Sequence, residues 1–123
     1  MSDTPVGQGE GMAAIPEHFT ATVTANGGGA VMTLTGELDM QGTFVLEPRL
    51  DALVAEAPEA VTFDLRGLTF VDSTGLAALI GGYQRLEESG VHSRFLRGSD
   101  DVQRIFTTAG FDGVLPFEDP PPD

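Results

Sequence analysis

Within residues 61–86, VTFDLRGLTFVDSTGLAALIGGYQRL, the spacing of apolar side chains changes once, and that change dictates a strand running into a helix. Val61, Phe63 and Leu65 alternate with Thr62 and Asp64, the period of a strand. After Gly67 the apolar positions are Leu76, Leu79 or Ile80, Tyr83 and Leu86, the period of one helix face. The change falls at Ser73. Asp72 and Ser73 each carry a short side-chain oxygen able to accept a hydrogen bond from an unpaired N–H of the first helical turn, so either suits the N-cap. A small hydroxyl is thereby set beside the positive end of a helix dipole. Taken alone, these residues require nothing more than a well-made helix start.

On the N-terminal side, Phe19, Ala21, Val23 and Ala25 alternate with threonines, a half-buried strand. Asn26-Gly27-Gly28-Gly29 supplies the positive φ angles of a hairpin, and residues 30–35 form the return strand. Gly36-Glu37-Leu38-Asp39 ends it. A helix follows within residues 43–57, with Leu46, Leu50, Leu53 and Val54 on its apolar face. Pro48 argues for a start near Glu47, or else for a kinked entry, because a proline in a helix interior loses a hydrogen bond and clashes with the preceding turn. The order strand, helix, strand implies a right-handed crossover and parallel pairing of the second and third strands. Asp39 and Asp72 then lie at one sheet edge, flanking Ser73. At an α/β sheet's carboxyl edge functional groups collect.

The second helix, residues 74–88, holds Gly81 and Gly82 in its interior. Each costs about 0.5–1 kcal/mol relative to alanine, so either the helix packs closely against a neighbour or its bare surface admits another protein, and close packing is expected at one of the two. The pattern does not say which. Residues 91–96 read as a fourth strand. Ser99 caps a third helix with Val102, Ile105, Phe106 and Ala109 apolar and Gly110 at its end. Phe111, Val114, Leu115 and Phe117 pack back on the domain. The fold class is α/β: one domain over residues 18–117, a small mixed sheet with helices on it, between a flexible tail (1–17) and an acidic, proline-rich end (118–123).

Nineteen acidic and six basic residues give a net charge of −13, which repels nucleic-acid phosphates and anionic membranes and favours a protein partner with a basic face. All six basic residues are arginine, which excludes a P-loop lysine, a lysine Schiff base and the Asp-plus-Lys set of phosphoaspartate receivers. The absence of cysteine removes disulfides, thiolate nucleophiles and cysteine-based metal centres. No stretch has the length of a signal peptide's apolar region or of a membrane span, so a soluble, cytoplasmic protein is expected. A Ser73 hydrolase fails because Val71 occupies the first glycine position of a nucleophile elbow and neither His18 nor His92 is placed by sequence as its base. Spacing suggests no metal site and no cofactor. Asp64, in mid-strand, calls for a paired or edge position.

The segments GELDMQ, FDLRGLTFVDSTGLAALIGGYQRLEESG and FLRGSDDVQRIFTTAGFDGVLPF, in this order and spacing, resemble the STAS domain of bacterial anti-sigma factor antagonists over residues 19–117. The resemblance implies a partner switch that is a substrate and not an enzyme. Ser73 matches the serine that the family's anti-sigma factor, an ATP-dependent serine kinase, phosphorylates. Unphosphorylated protein would hold the anti-sigma factor, phosphorylation would release it, and a serine phosphatase would restore binding. Asp39, Asp72, Thr74, Gly75, Leu76, Gly81 and Gly82 are the accompanying candidates for partner contact. A second reading is a STAS scaffold or subunit, in a stress-signalling assembly or lipid-transport complex, without a phosphorylation cycle. A third is direct binding of a nucleotide or other anion at the helix terminus.

Overall fold

The computed structural model describes residues 18–122; the tail expected over residues 1–17 lies outside them. The elements are β1 (Phe19–Asn26), β2 (Gly29–Leu38), α1 (Met40–Glu56), β3 (Ala60–Val71), α2 (Ser73–Glu88), β4 (His92–Leu96), α3 (Asp100–Thr108) and β5 (Phe117–Glu118). They build one five-stranded sheet in the order β1-β2-β3-β4-β5. β1 and β2 form the expected antiparallel hairpin, and β2, β3, β4 and β5 are parallel neighbours.

One face of the sheet is apolar because alternation puts Ala21, Met32, Leu34, Val61, Phe63, Leu65 and Phe95 on it, all buried. Phe63 stacks on Phe95 with ring centroids 4.7 Å apart. Leu46, Leu50 and Leu53 of α1 and Leu79 and Leu86 of α2 complete this core. Val102 and Phe106 of α3 are buried too, and Phe106 meets Phe117 edge-on at 5.2 Å. Ser99 caps α3, accepting from the Val102 N–H at 3.3 Å, and Gly110 follows its end with φ +88°. On the opposite face Asp64 is the paired mid-strand carboxylate: its two oxygens take the Arg66 guanidinium at 3.0 and 2.9 Å. Those hydrogen bonds hold its carboxyl below the usual range.

Three elements run further than local pattern suggests. α1 begins at Met40 instead of near Glu47, and Pro48 lies inside it. An interior proline costs about 3 kcal/mol. An Asp39 cap of about 1 kcal/mol and the burial of Leu46, about 1.5–3 kcal/mol, are of the size needed to offset it. β3 does not end with the alternation at Leu65; it continues through Gly67 to Val71. Its register with β2 shifts between Thr33 and Thr35, and a Cβ on Gly67 would stand 2.8 Å from Thr35 Oγ1, so the glycine permits the close passage of two strands at a bulge. Glu118, placed by sequence in the trailing end, belongs to β5, where its carbonyl accepts from the Arg97 N–H and its carboxylate meets Arg94 at 2.9 Å.

Candidate functional site

The carboxyl edge of the sheet is where β2 and β3 end side by side. Leu38 pairs with Val71, and the next residue on each strand is an aspartate that caps a helix. Asp39 Oδ1 accepts from the Gly42 N–H at 2.9 Å, and Asp72 Oδ1 accepts from the Gly75 N–H at 2.8 Å. The Asp72 N–H in turn donates to the Leu38 carbonyl at 3.1 Å, tying the two strand ends together. Gly75 is buried under this junction, where a Cβ would collide with the Leu38 carbonyl oxygen. Asp39 and Asp72 therefore flank the edge as expected, and α1 and α2 start at the same level. Because Asp72 is the cap, the hydroxyl of Ser73, first residue of α2, is not engaged in capping. Ser73 and Thr74 are both exposed.

His18 joins this edge from the other side. Glu37 N–H donates to the His18 carbonyl at 3.0 Å, and Gly36, at φ +96°, lacks the Cβ that would strike that same carbonyl. So placed, His18 Nε2 lies 2.6 Å from Asp39 Oδ2 and 3.6 Å from Glu37 Oε1. The hydrogen bond to Asp39 raises the imidazole above its ordinary pKa, and the Gly42 N–H, followed by His18, lowers the Asp39 carboxyl. His18, Glu37 and Asp39 hold their ligand-capable atoms within 4.8 Å of one another, a grouping that spacing along the chain did not suggest. The ion pair accounts for it.

Along α2, Gly81 and Gly82 separate cleanly. A Cβ on Gly82 would stand 2.6 Å from Leu50 Cδ1 and 3.1 Å from Leu50 Cγ, whereas one on Gly81 would meet nothing within 4 Å. Gly82 is thus the point of helix-to-helix approach, and Arg85 of α2 closes the same seam on Asp51 of α1 at 2.9 Å. Gly81 is the bare one. It lines a cleft of about 380 Å³ with Ser73, Leu76, Ala77, Ile80 and Phe111. A second cleft, of about 500 Å³, runs from Ser73 and Leu76 to Arg104, Ile105 and Thr108 of α3. Both are mostly apolar, and Ser73 stands at the head of both.

Known proteins share this arrangement of strands and helices. The STAS domain model matches residues 20–120. The chain belongs to the STAS domain family. Among relatives of this STAS domain, the anti-sigma-F factor antagonist RsfB of Mycobacterium tuberculosis is 32% identical over 104 residues, covering 76% of this chain and 85% of the relative. An anti-sigma factor antagonist from Mycobacterium paratuberculosis superposes with a TM-score of 0.71 at 29% identity, covering 85% of this chain and 89% of that one. The anti-sigma factor antagonist SpoIIAA in its unphosphorylated form shares the fold, with a TM-score of 0.70 at 20% identity over 83% of this chain and 89% of that one. Among the described residues of this STAS domain, no helix is long and apolar enough to cross a membrane.

Two further features of the STAS domain escaped sequence reasoning. Met40 and Phe44, one turn apart at the start of α1, are 61% and 75% exposed. Starting the helix at Glu47 leaves both in a loop; starting it from an Asp39 cap puts them outside the buried Leu46, Leu50 and Leu53 stripe. A large aromatic off the apolar period was the available signal. His18 gave no local signal, because its partner stands 21 residues away.

Proposed function

We propose that this STAS domain is an anti-sigma factor antagonist that works by partner switching. Unphosphorylated, it binds an anti-sigma factor serine kinase and frees the sigma factor; phosphorylation at Ser73 releases it, and a serine phosphatase resets it. One observation carries the reading: Ser73 is exposed, relieved of capping by Asp72, and set at the head of two apolar clefts. A kinase needs the accessible hydroxyl, and a docking partner needs the apolar floor beside it. The relatives' roles as anti-sigma factor antagonists support the same assignment. In this scheme Asp72 and Gly75 shape the loop, Thr74, Leu76 and Gly81 offer contact surface, Asp39 borders it from the next strand, and Gly82 holds α2 against α1. The exposed Met40 and Phe44 extend the surface across α1.

The chain supplies no catalytic group in this cycle; it is the acceptor. The test is to incubate it with ATP and an anti-sigma factor kinase of the same genome, map the phosphate by mass spectrometry, and measure binding before and after by titration calorimetry. Incorporation at Ser73 with loss of binding is the expected result. Undiminished binding of the phosphorylated protein, or incorporation elsewhere, would refute the scheme.

A further inference from the structure

We propose that Arg104 of α3 is the receptor for the phosphate carried by Ser73, so that phosphorylation bridges α2 to α3 across the cleft between them. The inference rests on the phosphoserine reading above and specifies what the phosphate does once attached. Ser73 and Arg104 line one cleft of about 500 Å³, together with Leu76, Asp101, Ile105, Thr108 and Ala109. Arg104 is its positive charge and Asp101 its negative one. Among the described residues the guanidinium is held by an exposed i,i+3 pair with Asp101, at 3.1 Å, with the two side chains 70% and 83% exposed. Such pairs are weak in water and exchange readily.

A phosphoserine brings roughly −1.5 to −2 charges and three strong acceptor oxygens. Asp72, fixed as the cap of α2, repels it from the loop side. The imidazole at the adjoining strand end, His18, is already paired with Asp39. The neighbouring cleft, lined by Ala77, Ile80, Gly81, Gln84 and Phe111 besides Ser73 and Leu76, offers no cation. Arg104 lines the same cleft as Ser73, and its planar fork matches phosphate oxygens two at a time. With a dianion present, Arg104 leaves Asp101 for the phosphate. The bridge then lies over Leu76 and Ile105, the apolar floor that a docked partner would use. Phosphorylation on this account both adds charge and covers the surface beneath it, without refolding.

The decisive experiment places phosphoserine at position 73 during translation, so that no kinase or partner is involved, and follows the phosphate by phosphorus NMR from pH 4 to 9. Asp72, Asp101 and Arg104 are the charged groups facing it. In the full chain the second ionisation should fall at least about half a unit below that of the Arg104→Gln protein, a threefold change in its constant. The Arg104 Nε–H resonance should shift on phosphorylation, and Arg97→Gln, a substitution away from the cleft, should leave the midpoint in place. Equal midpoints for parent and Arg104→Gln, or an unmoved Arg104 resonance, would overturn the proposal. Because the phosphoserine is installed during translation, that outcome is distinct from the failure of a kinase to modify Ser73.

Discussion

Adding one methyl group at Gly81 and, separately, at Gly82 should have opposite effects on stability, although the two residues are adjacent in the same helix. Both substitutions recover about 0.5–1 kcal/mol of helix propensity. At Gly81 nothing lies within 4 Å of the new Cβ, so Gly81→Ala keeps that whole gain and should raise the melting temperature by a few degrees. At Gly82 the Cβ is driven to 2.6 and 2.8 Å from the Leu50 methyls and 3.1 Å from Leu50 Cγ. Leu50 is 1% exposed and part of the core, so its side chain must give way to the new methyl. Overpacking of this kind costs about 1–3 kcal/mol, so Gly82→Ala should lose about 1–2 kcal/mol net. Urea unfolding at neutral pH reads both. Titration against the anti-sigma factor separates stability from function: the Gly81 methyl stands in the cleft below Ser73 and should weaken binding about tenfold, near 1.4 kcal/mol, while stabilising the free domain. A Gly82→Ala protein as stable as the parent would refute the close-approach argument. A Gly81→Ala protein binding at parental affinity would remove that cleft from the docking surface.

Ser73→Ala should abolish phosphate incorporation by the kinase while Thr74→Ala retains it, and Ser73→Asp should bind about 2–5 kcal/mol more weakly with a near-native circular dichroism spectrum; tight binding by Ser73→Asp would contradict the switch. Gly75→Ala forces a Cβ against the Leu38 carbonyl and should cost about 1–3 kcal/mol in urea unfolding, so unchanged stability would show that the strand junction yields. His18, raised by its bond to Asp39, contributes stability fully below its ordinary value of 6.5, and that contribution is lost as pH rises through the raised folded value. Asp39, lowered by the Gly42 N–H and then by His18, contributes above its ordinary value of 3.8, lost as pH falls through the lowered one. Proton NMR should therefore find the His18 midpoint above 6.5 in the parent and nearer to it in Asp39→Asn; equal midpoints would mean the pair does not form in solution.

What the sequence by itself determined was local in origin. Alternation at Val61, Phe63 and Leu65, the helical period from Leu76 to Leu86, the Ser99 cap and the Gly110 stop depend on neighbours a few residues away, and each stands in the structure as the pattern implied. The parallel pairing of β2 with β3 followed from chain order alone. It placed Ser73, Asp39 and Asp72 at one edge. Contacts between distant segments were decided only by the tertiary structure. Pro48 sits inside α1 because an Asp39 cap and a buried Leu46 offset its local cost, and a proline's penalty is visible in sequence where those gains are not. β3 runs on through Gly67 because β2 is there to pair with it. Gly81 and Gly82 are the same residue type in the same helix; Leu50, 32 positions before Gly82 in the chain, makes one of them a packing point and leaves the other as surface. His18 finds Asp39 only because the β1–β2 hairpin folds one back on the other. Periodicity records which face of an element is buried, and packing alone determines what buries it.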